Sequence, residues 1–185
     1  DFLYSDIEIR TMLKDIEIAR RLGADGVVFG CLTADGEVDL TSMQILMEAS
    51  KGLSVTFHRA FDVCRNPQKA LEEIIELGCN RILTSGQQPT AEQGIGLLKE
   101  LQGLAAGRIT LLAGCGVNEN NIARIAAETG INELHFSARE SIQSEMKFRN
   151  EVVSMGGTVH INEYERNVTS VRRVKETVEA LYKGM

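Results

Sequence analysis

A unit of strand and helix that recurs along the chain restricts the possible folds more than any other feature. The segments LGADGVVFG (22–30), LGCNRILTS (77–85) and TGINELHFS (129–137) each end a helix, pass through a glycine and begin a short apolar strand. Glycine just past a helix end is typical of the left-handed position found there. Two more runs, SVTFH (54–58) and RITLLA (108–113), have the same strand-like composition. The strands therefore recur at intervals of roughly 26 residues.

Helical patterns fill the gaps between these strands. Asp39, Asn66 and Asn118 lie where helix N-caps are expected, and Pro67 takes a first helical position. The predicted helices are 6–22, 40–50, 67–77, 90–103, 118–129 and 170–183. Strands that alternate with helices predict a parallel sheet with right-handed crossovers. Both a doubly wound open sheet and a (β/α)8 barrel satisfy this pattern.

The near-equal length of the repeats favours the barrel. No GxGxxG motif follows a first strand, which counts against a dinucleotide-binding sheet. A barrel needs eight strands and about 250 residues, whereas these 185 residues hold five strand candidates. We therefore predict an α/β fold of the (β/α)8 TIM-barrel type, truncated to about five βα units and forming one partial domain over residues 1–185.

Charge and cysteine content narrow the function classes. The net charge of −6 argues against general binding to nucleic acid or to a membrane surface. No apolar run approaches the roughly 20 residues of a membrane span, and no charged-then-apolar leader is apparent. The four cysteines are scattered without a CxxC pair, which favours reduced thiols. We expect a cytoplasmic protein with no nucleic-acid or membrane partner.

Polar and small residues gather where the predicted strands end. In parallel α/β folds, the functional site lies at the carboxyl ends of the strands. His58, Arg59 and Asp62 follow the second strand. The ends of the other strands add further candidates, which are Thr84, Ser85, Gly114, Gly116, Ser137 and Arg139. The period-two alternation of strands predicts which side chains share the mouth of the barrel. They are His58, Thr84, His135 and Ser137.

These residue types suit acid–base chemistry on an anion. His58 would be the general acid–base group, Asp62 would orient it, and Arg59 or Arg139 would clamp the anion. The Gly-x-Gly turn at 114–116 precedes a helix and could bind phosphate or carboxylate through backbone N–H groups. Each feature also has a structural alternative: His58 and Asp62 would tie down a loop, and the glycines would serve a tight turn. His135, deeper in its strand, fits an interior histidine better than a catalytic one.

The segment SEMKFRN (144–150) lies in a long connection before the last helix. A long connection in a compact domain is often a lid or a binding loop. Arg149 therefore joins the anion-binding candidates. The alternative is a solvated surface loop pinned by Met146 and Phe148.

Six segments, in this order, closely resemble the CutC copper-homeostasis family: GADGVVFG, VTFHRAFD, ILTSG, ITLLAGCGV, HFSAR and MKFRN. The opening DFLYSD is also similar to that family, where it follows the third barrel strand. The resemblance implies that the chain corresponds to strands four to eight, and that a full-length member carries roughly 70 further residues before them. It also implies a cytoplasmic protein of copper homeostasis that binds copper(I) and needs no organic cofactor.

Three function hypotheses follow. Under the resemblance, the protein handles copper, with Cys31 and Cys115 as the candidate copper(I) ligands because both follow strands. The strand-end residues themselves suit an anion better than a soft metal ion. They favour a TIM-barrel enzyme, a lyase, isomerase or hydrolase, that acts on a small anionic or phosphorylated substrate. The third hypothesis is a non-catalytic scaffold, and self-assembly into a homo-oligomer is expected.

Overall fold

The computed structural model describes residues 1–159 and 161–183. The helices are α1 (Asp6–Arg21), α2 (Leu40–Ala49), α3 (Pro67–Glu76), α4 (Ile95–Ala105), α5 (Ile122–Thr129) and α6 (Val171–Lys183). The strands are β1 (Gly26–Phe29), β2 (Ser54–Phe57), β3 (Arg81–Thr84), β4 (Thr110–Gly114), β5 (Glu133–His135), β6 (Arg139–Gln143) and β7 (Glu165–Thr169). A short 3₁₀ helix, Arg59–Val63, follows β2. None of the described helices is both long enough and apolar enough to cross a bilayer.

The first five strands form one parallel sheet in the order β1-β2-β3-β4-β5. This order follows the chain, so the sheet has no switch point of the kind a doubly wound sheet requires. The predicted α/β class with parallel strands is confirmed. Within the described ranges β1 and β5 are the edges of the sheet, so closure into a barrel stays a prediction.

A row of apolar side chains crosses the sheet on the face that the helices cover. The strand register aligns four residues, each at most 3% exposed: Phe29, Phe57, Ile82 and Leu111. The adjacent row points to the other face, and its Val28 is 61% exposed. The helices therefore bury one face of the sheet, and the uncovered face is the one that lines the interior of a TIM-type barrel.

Local signals set most helix ends. Asp39 and Asn66 each accept a hydrogen bond from the backbone N–H three residues on, at 3.1 and 3.0 Å, which confirms two predicted N-caps. Asn118 is not an N-cap. It lies in a preceding turn, and α5 begins at Ile122 with Asn121 in the N-cap position.

Two parts of the chain differ from the sequence prediction. The fourth helix begins at Ile95 rather than near residue 90, because residues 91–94 form a turn. The connection after Ser137 is not free of strands, since β6 and β7 pair there as an antiparallel ribbon. Both strands are polar and largely exposed, so they carry no core-facing alternation that would reveal them in the sequence.

Candidate functional site

A cleft of about 520 Å³ opens at the carboxyl ends of the strands, where the sequence predicts the site. Its walls come from the segments that follow β2, β4 and β5, together with the start of α6. Five sequence-predicted residues line it: Arg59, Cys115, Gly116, Ser137 and Arg139. The fold therefore brings together residues that lie up to 80 positions apart in the chain.

The lining of this cleft is cationic. It includes Arg59, Arg139 and Arg173 and, among the described residues, neither Asp nor Glu. Arg173 forms an ion pair with Glu119 at 3.0 Å and donates a hydrogen bond to the backbone carbonyl of Arg139. The Arg139 side chain has no ion pair or hydrogen bond within residues 1–159 and 161–183. Arg139 therefore contributes a positive charge that no carboxylate of the described residues offsets.

The turn after β4 adds backbone donors. Cys115 and Gly116 have φ angles of 79° and 73°, so the chain turns through the left-handed region twice in succession. The N–H groups of Gly116 and Val117 have no acceptor in the described part of the chain. Free N–H groups on residues that line a cleft suit the oxygens of a phosphate or carboxylate. Gly114 has a packing role instead, because a Cβ there would lie 2.6 Å from Leu83 Cδ1.

Asp62 is the buried centre of a network that joins the loops after β2 and β3. Its side chain is 6% exposed. The carboxylate accepts from Arg59 Nε at 2.6 Å, from Thr84 Oγ1 at 2.5 Å and from the Ser85 N–H at 3.0 Å. It also accepts from the Ser85 hydroxyl at 3.0 Å and from the Gln87 N–H at 3.2 Å. This network fixes the orientation of the Arg59 guanidinium, whose Nη2 also donates to the Ser85 hydroxyl at 2.9 Å.

His58 lies outside this network. Its Nδ1 accepts from the Ala60 N–H at 3.3 Å, and its ring packs on Phe2 with the centroids 4.7 Å apart. Burial lowers the pKa of His58, so the imidazole is neutral at pH 7. No hydrogen bond joins His58 to Asp62 among the described residues, so the predicted orienting pair does not form. This geometry favours the alternative in which each of the two stabilises a loop.

Thr84 and Ser85 also differ from their predicted placement. Both are fully buried, and Thr84 points to the helix-covered face of the sheet. Its hydroxyl contacts Asp62 rather than the mouth of the cleft. Thr84 therefore does not converge with His135 and Ser137, because the strand register places it in the opposite row of side chains.

Two charged or titratable residues of the cleft lining, His135 and Arg173, were not among the predicted catalytic or anion-binding residues, although strand alternation placed His135 at the mouth. His135 is exposed and lines the cleft, although its depth in the strand suggested an interior histidine. The alternation of side chains along β5 places His135 on the mouth side, so alternation predicted its position better than its depth in the strand did. Arg173 lies in the first turn of α6, where a positive charge opposes the helix dipole. A cation in that position can indicate a role other than helix stability.

Comparison with known proteins shows what family has this architecture. The family model described as CutC matches residues 1–140. The chain is 77% identical over 181 residues to family protein CutC of Bacteroides thetaiotaomicron, covering 98% of this chain and 73% of that protein. It is 74% identical over 181 residues to family protein CutC of Bacteroides fragilis strain ATCC 25285, covering 98% of this chain and 72% of that protein. The chain belongs to the CutC family.

A solved CutC structure supports the same assignment. The Streptococcus agalactiae protein, named for copper homeostasis, is 34% identical and superimposes with a TM-score of 0.71. The match covers 73% of this chain and 66% of that one. The chain therefore spans slightly less than two thirds of that CutC structure and about three quarters of the curated CutC relatives.

The two candidate copper ligands do not form a common site. Cys31 is 1% exposed, and burial, with a smaller effect of Asp39, raises its pKa to about 12. Cys115 lines the cleft, with its Sγ 3.1 Å from the Pro89 carbonyl. Since β2 and β3 separate β1 from β4, the two strand ends lie roughly 14 Å apart, too far for one ion to bridge. No cluster of three or more His, Cys, Asp or Glu suited to a metal occurs among the described residues.

The segment MKFRN (146–150), one of the six that resemble the CutC family, is not part of the cleft lining. The Arg149 guanidinium stacks over the Tyr164 ring at 5.1 Å from its centroid. It also donates to Gln143 Oε1 at 3.5 Å and to the Ser144 carbonyl at 3.4 Å. Phe148 is 77% exposed and does not pin the loop. The structure therefore places Arg149 in a solvated surface segment and not with the other predicted anion-binding residues.

Proposed function

We propose that this CutC-family protein binds a small organic anion, carrying phosphate or carboxylate, in the cleft at the strand ends. The observation that carries the proposal is the positive charge of the side chains that line the cleft. Three arginines and no described carboxylate line the cleft of a chain whose net charge is −6, and Arg139 is the one of the three without an ion pair among the described residues. Arginine binds phosphate and carboxylate through paired, charge-assisted hydrogen bonds. The free N–H groups of Gly116 and Val117 supply further donors on the same wall.

The position of His135 supports an enzyme over a passive binding module. Its imidazole lines the cleft next to Ser137 and Arg139. An imidazole beside a bound anion can take or give a proton near neutral pH. This arrangement is compatible with a lyase, an isomerase or a hydrolase, and we propose His135 rather than His58 as the proton-transfer group.

Removing the unpaired cation should weaken anion binding. We expect Arg139→Gln to raise the Kd for inorganic phosphate by roughly 10- to 100-fold, because one charge-assisted hydrogen bond is lost. Isothermal titration at constant ionic strength measures this Kd. Arg166→Gln is the matched control, since Arg166 is exposed on β7 and outside the cleft lining. Equal phosphate affinity in the two variants, or no binding by the wild type, would overturn the proposal.

A second proposal, copper(I) binding, has a structural basis elsewhere in the molecule. The Cys79 thiol donates to the Met47 thioether with the two sulfurs 3.7 Å apart. Thiolate and thioether are the soft donors that copper(I) prefers. Burial raises the pKa of Cys79 to about 12, so an incoming ion must displace the thiol proton. This pair lies near the amino-terminal end of β3, at the opposite end of the sheet from the cleft.

Copper titration against a competing chelator tests whether copper(I) binds to Cys79 and Met47 or to Cys31 and Cys115. We expect Cys79→Ser to weaken copper(I) binding by on the order of tenfold or more, because it removes a direct ligand. The double variant Cys31→Ser/Cys115→Ser should keep the wild-type affinity. The opposite order of effects would assign copper to Cys31 and Cys115, the two cysteines that follow strands, and a wild type that takes up no copper would exclude both pairs.

The proposal also covers barrel closure, the cellular compartment and the oligomeric state. The sequential strand order and the single covered face support closure of the full-length protein into a barrel. All four cysteines are free thiols, which supports a reducing compartment such as the cytoplasm. Self-association into a homo-oligomer stays a prediction.

A further inference from the structure

Two arginines reach the cleft from strands that are not neighbours in the sheet. Arg59 follows β2 and Arg139 follows β5, so three inter-strand spacings, roughly 14 Å in total, separate their points of attachment. Both residues nevertheless line the same cleft. Their guanidinium groups therefore approach a common space from two sides.

The two positions differ in how the guanidinium is held. Asp62 and the Ser85 hydroxyl bind Nε and Nη2 of Arg59, and the Cys115 side chain also lies within reach of this guanidinium. Arg59 is thus a rigidly held hydrogen-bond donor, and the Asp62 carboxylate offsets its positive charge. Arg139 has no such partner, and the free N–H groups of Gly116 and Val117 share its cleft. The Arg139 side therefore suits the group with more charge, and the Arg59 side suits a planar, singly charged group.

The wall between the two positions is largely apolar. Leu83, Val117, Phe136 and Ala138 all contribute to it. A ligand that spans the cleft needs no further charge in its middle, and a short carbon skeleton would pack against these side chains.

We propose that the ligand carries two anionic groups at its two ends, as a phosphorylated carboxylic acid does. The phosphate would lie against Arg139 and the turn at Gly116, and the carboxylate against Arg59. This inference rests on the proposed function, because it names the class of anion that the same cleft would take.

Two probes that differ only at one end test the inference. In 3-phosphoglycerate a carboxylate replaces the hydroxymethyl group of glycerol 3-phosphate. We expect the wild type to bind 3-phosphoglycerate about tenfold more tightly, as one added charge-assisted hydrogen bond predicts. Arg59→Gln should reduce this ratio to below about two, whereas Arg166→Gln should leave it at the wild-type value. Titrations at 0.15 M salt keep screening constant, with a Debye length of about 8 Å.

The variant Arg59→Lys covers the case in which Arg59→Gln does not fold, because lysine keeps a cation beside Asp62. It should give a ratio between those of the wild type and of Arg59→Gln. Equal wild-type affinity for the two probes would overturn the two-anion inference and leave the anion site standing. Failure to bind either probe or inorganic phosphate would instead overturn the proposed function itself.

Discussion

Asp62→Ala should lower the free energy of unfolding by about 3 kcal/mol or more, because it removes a buried carboxylate that pairs with Arg59 and accepts several further hydrogen bonds. The substitution removes the acceptor for Arg59, Thr84, Ser85 and the Gln87 N–H at once. Donors left without a partner inside the protein carry most of this cost. Urea-induced unfolding, monitored by circular dichroism, measures the change.

An exposed aspartate provides the matched control for Asp62. Asp35 faces Arg65 at 3.8 Å, and its side chain is 83% exposed. Asp35→Ala should change stability by less than about 1 kcal/mol, as is usual for surface ion pairs. Asp62→Asn keeps an acceptor and should lie between the two alanine variants. Similar losses for Asp62→Ala and Asp35→Ala would show that the network around Asp62 does not stabilise the fold.

Gly94→Ala and Gly96→Ala should change stability in opposite directions. A Cβ at Gly94 would overlap the Ser85 carbonyl oxygen and lie 3.0 Å from Gly86 Cα, and both are backbone atoms that cannot rotate away. Overpacking of this kind costs about 1–3 kcal/mol or more. A Cβ at Gly96 would meet no atom within 4 Å. Alanine there should raise stability by up to about 1 kcal/mol, the difference in helix propensity between alanine and glycine.

The Gly94 variant also links stability to the cleft. The Ser85 loop that it would displace holds Asp62, and Asp62 holds Arg59. Urea unfolding of both glycine variants, followed by phosphate titration, measures the two effects together. Gly94→Ala should weaken anion binding as well as folding, whereas Gly96→Ala should leave binding unchanged. A stable Gly94→Ala protein would contradict the close approach of the two loops.

Much of the fold could be predicted because its signals are local. The five parallel strands lie within a few residues of their predicted positions, and Asp39 and Asn66 cap the helices they were expected to cap. The polar ribbon of β6 and β7 could not be predicted, because neither strand has a buried face. The family could be predicted from ordered motifs, and the match to residues 1–140 confirms it.

The location of the candidate site could be predicted, but only some of its residues could. Strand ends indicated Arg59, Gly116 and Arg139, which line the cleft. The long connection before the last helix also added Arg149, which stacks on Tyr164 in a separate surface segment. A rule based on position along the chain cannot distinguish these cases.

Spacing and alternation in the amino-acid sequence were sufficient for the order of the five parallel strands and the helices and for the end of the sheet that carries the polar residues, and the resemblance of six ordered motifs indicated the family. Those properties depend on neighbours a few residues apart, and such neighbours are present in the sequence itself. The partners of each side chain required the folded chain. Asp62 binds residues 22 to 25 positions away, and Arg173 reaches Glu119 across 54 positions. Strand register and side-chain length decide such contacts, and both become defined only when the sheet has assembled.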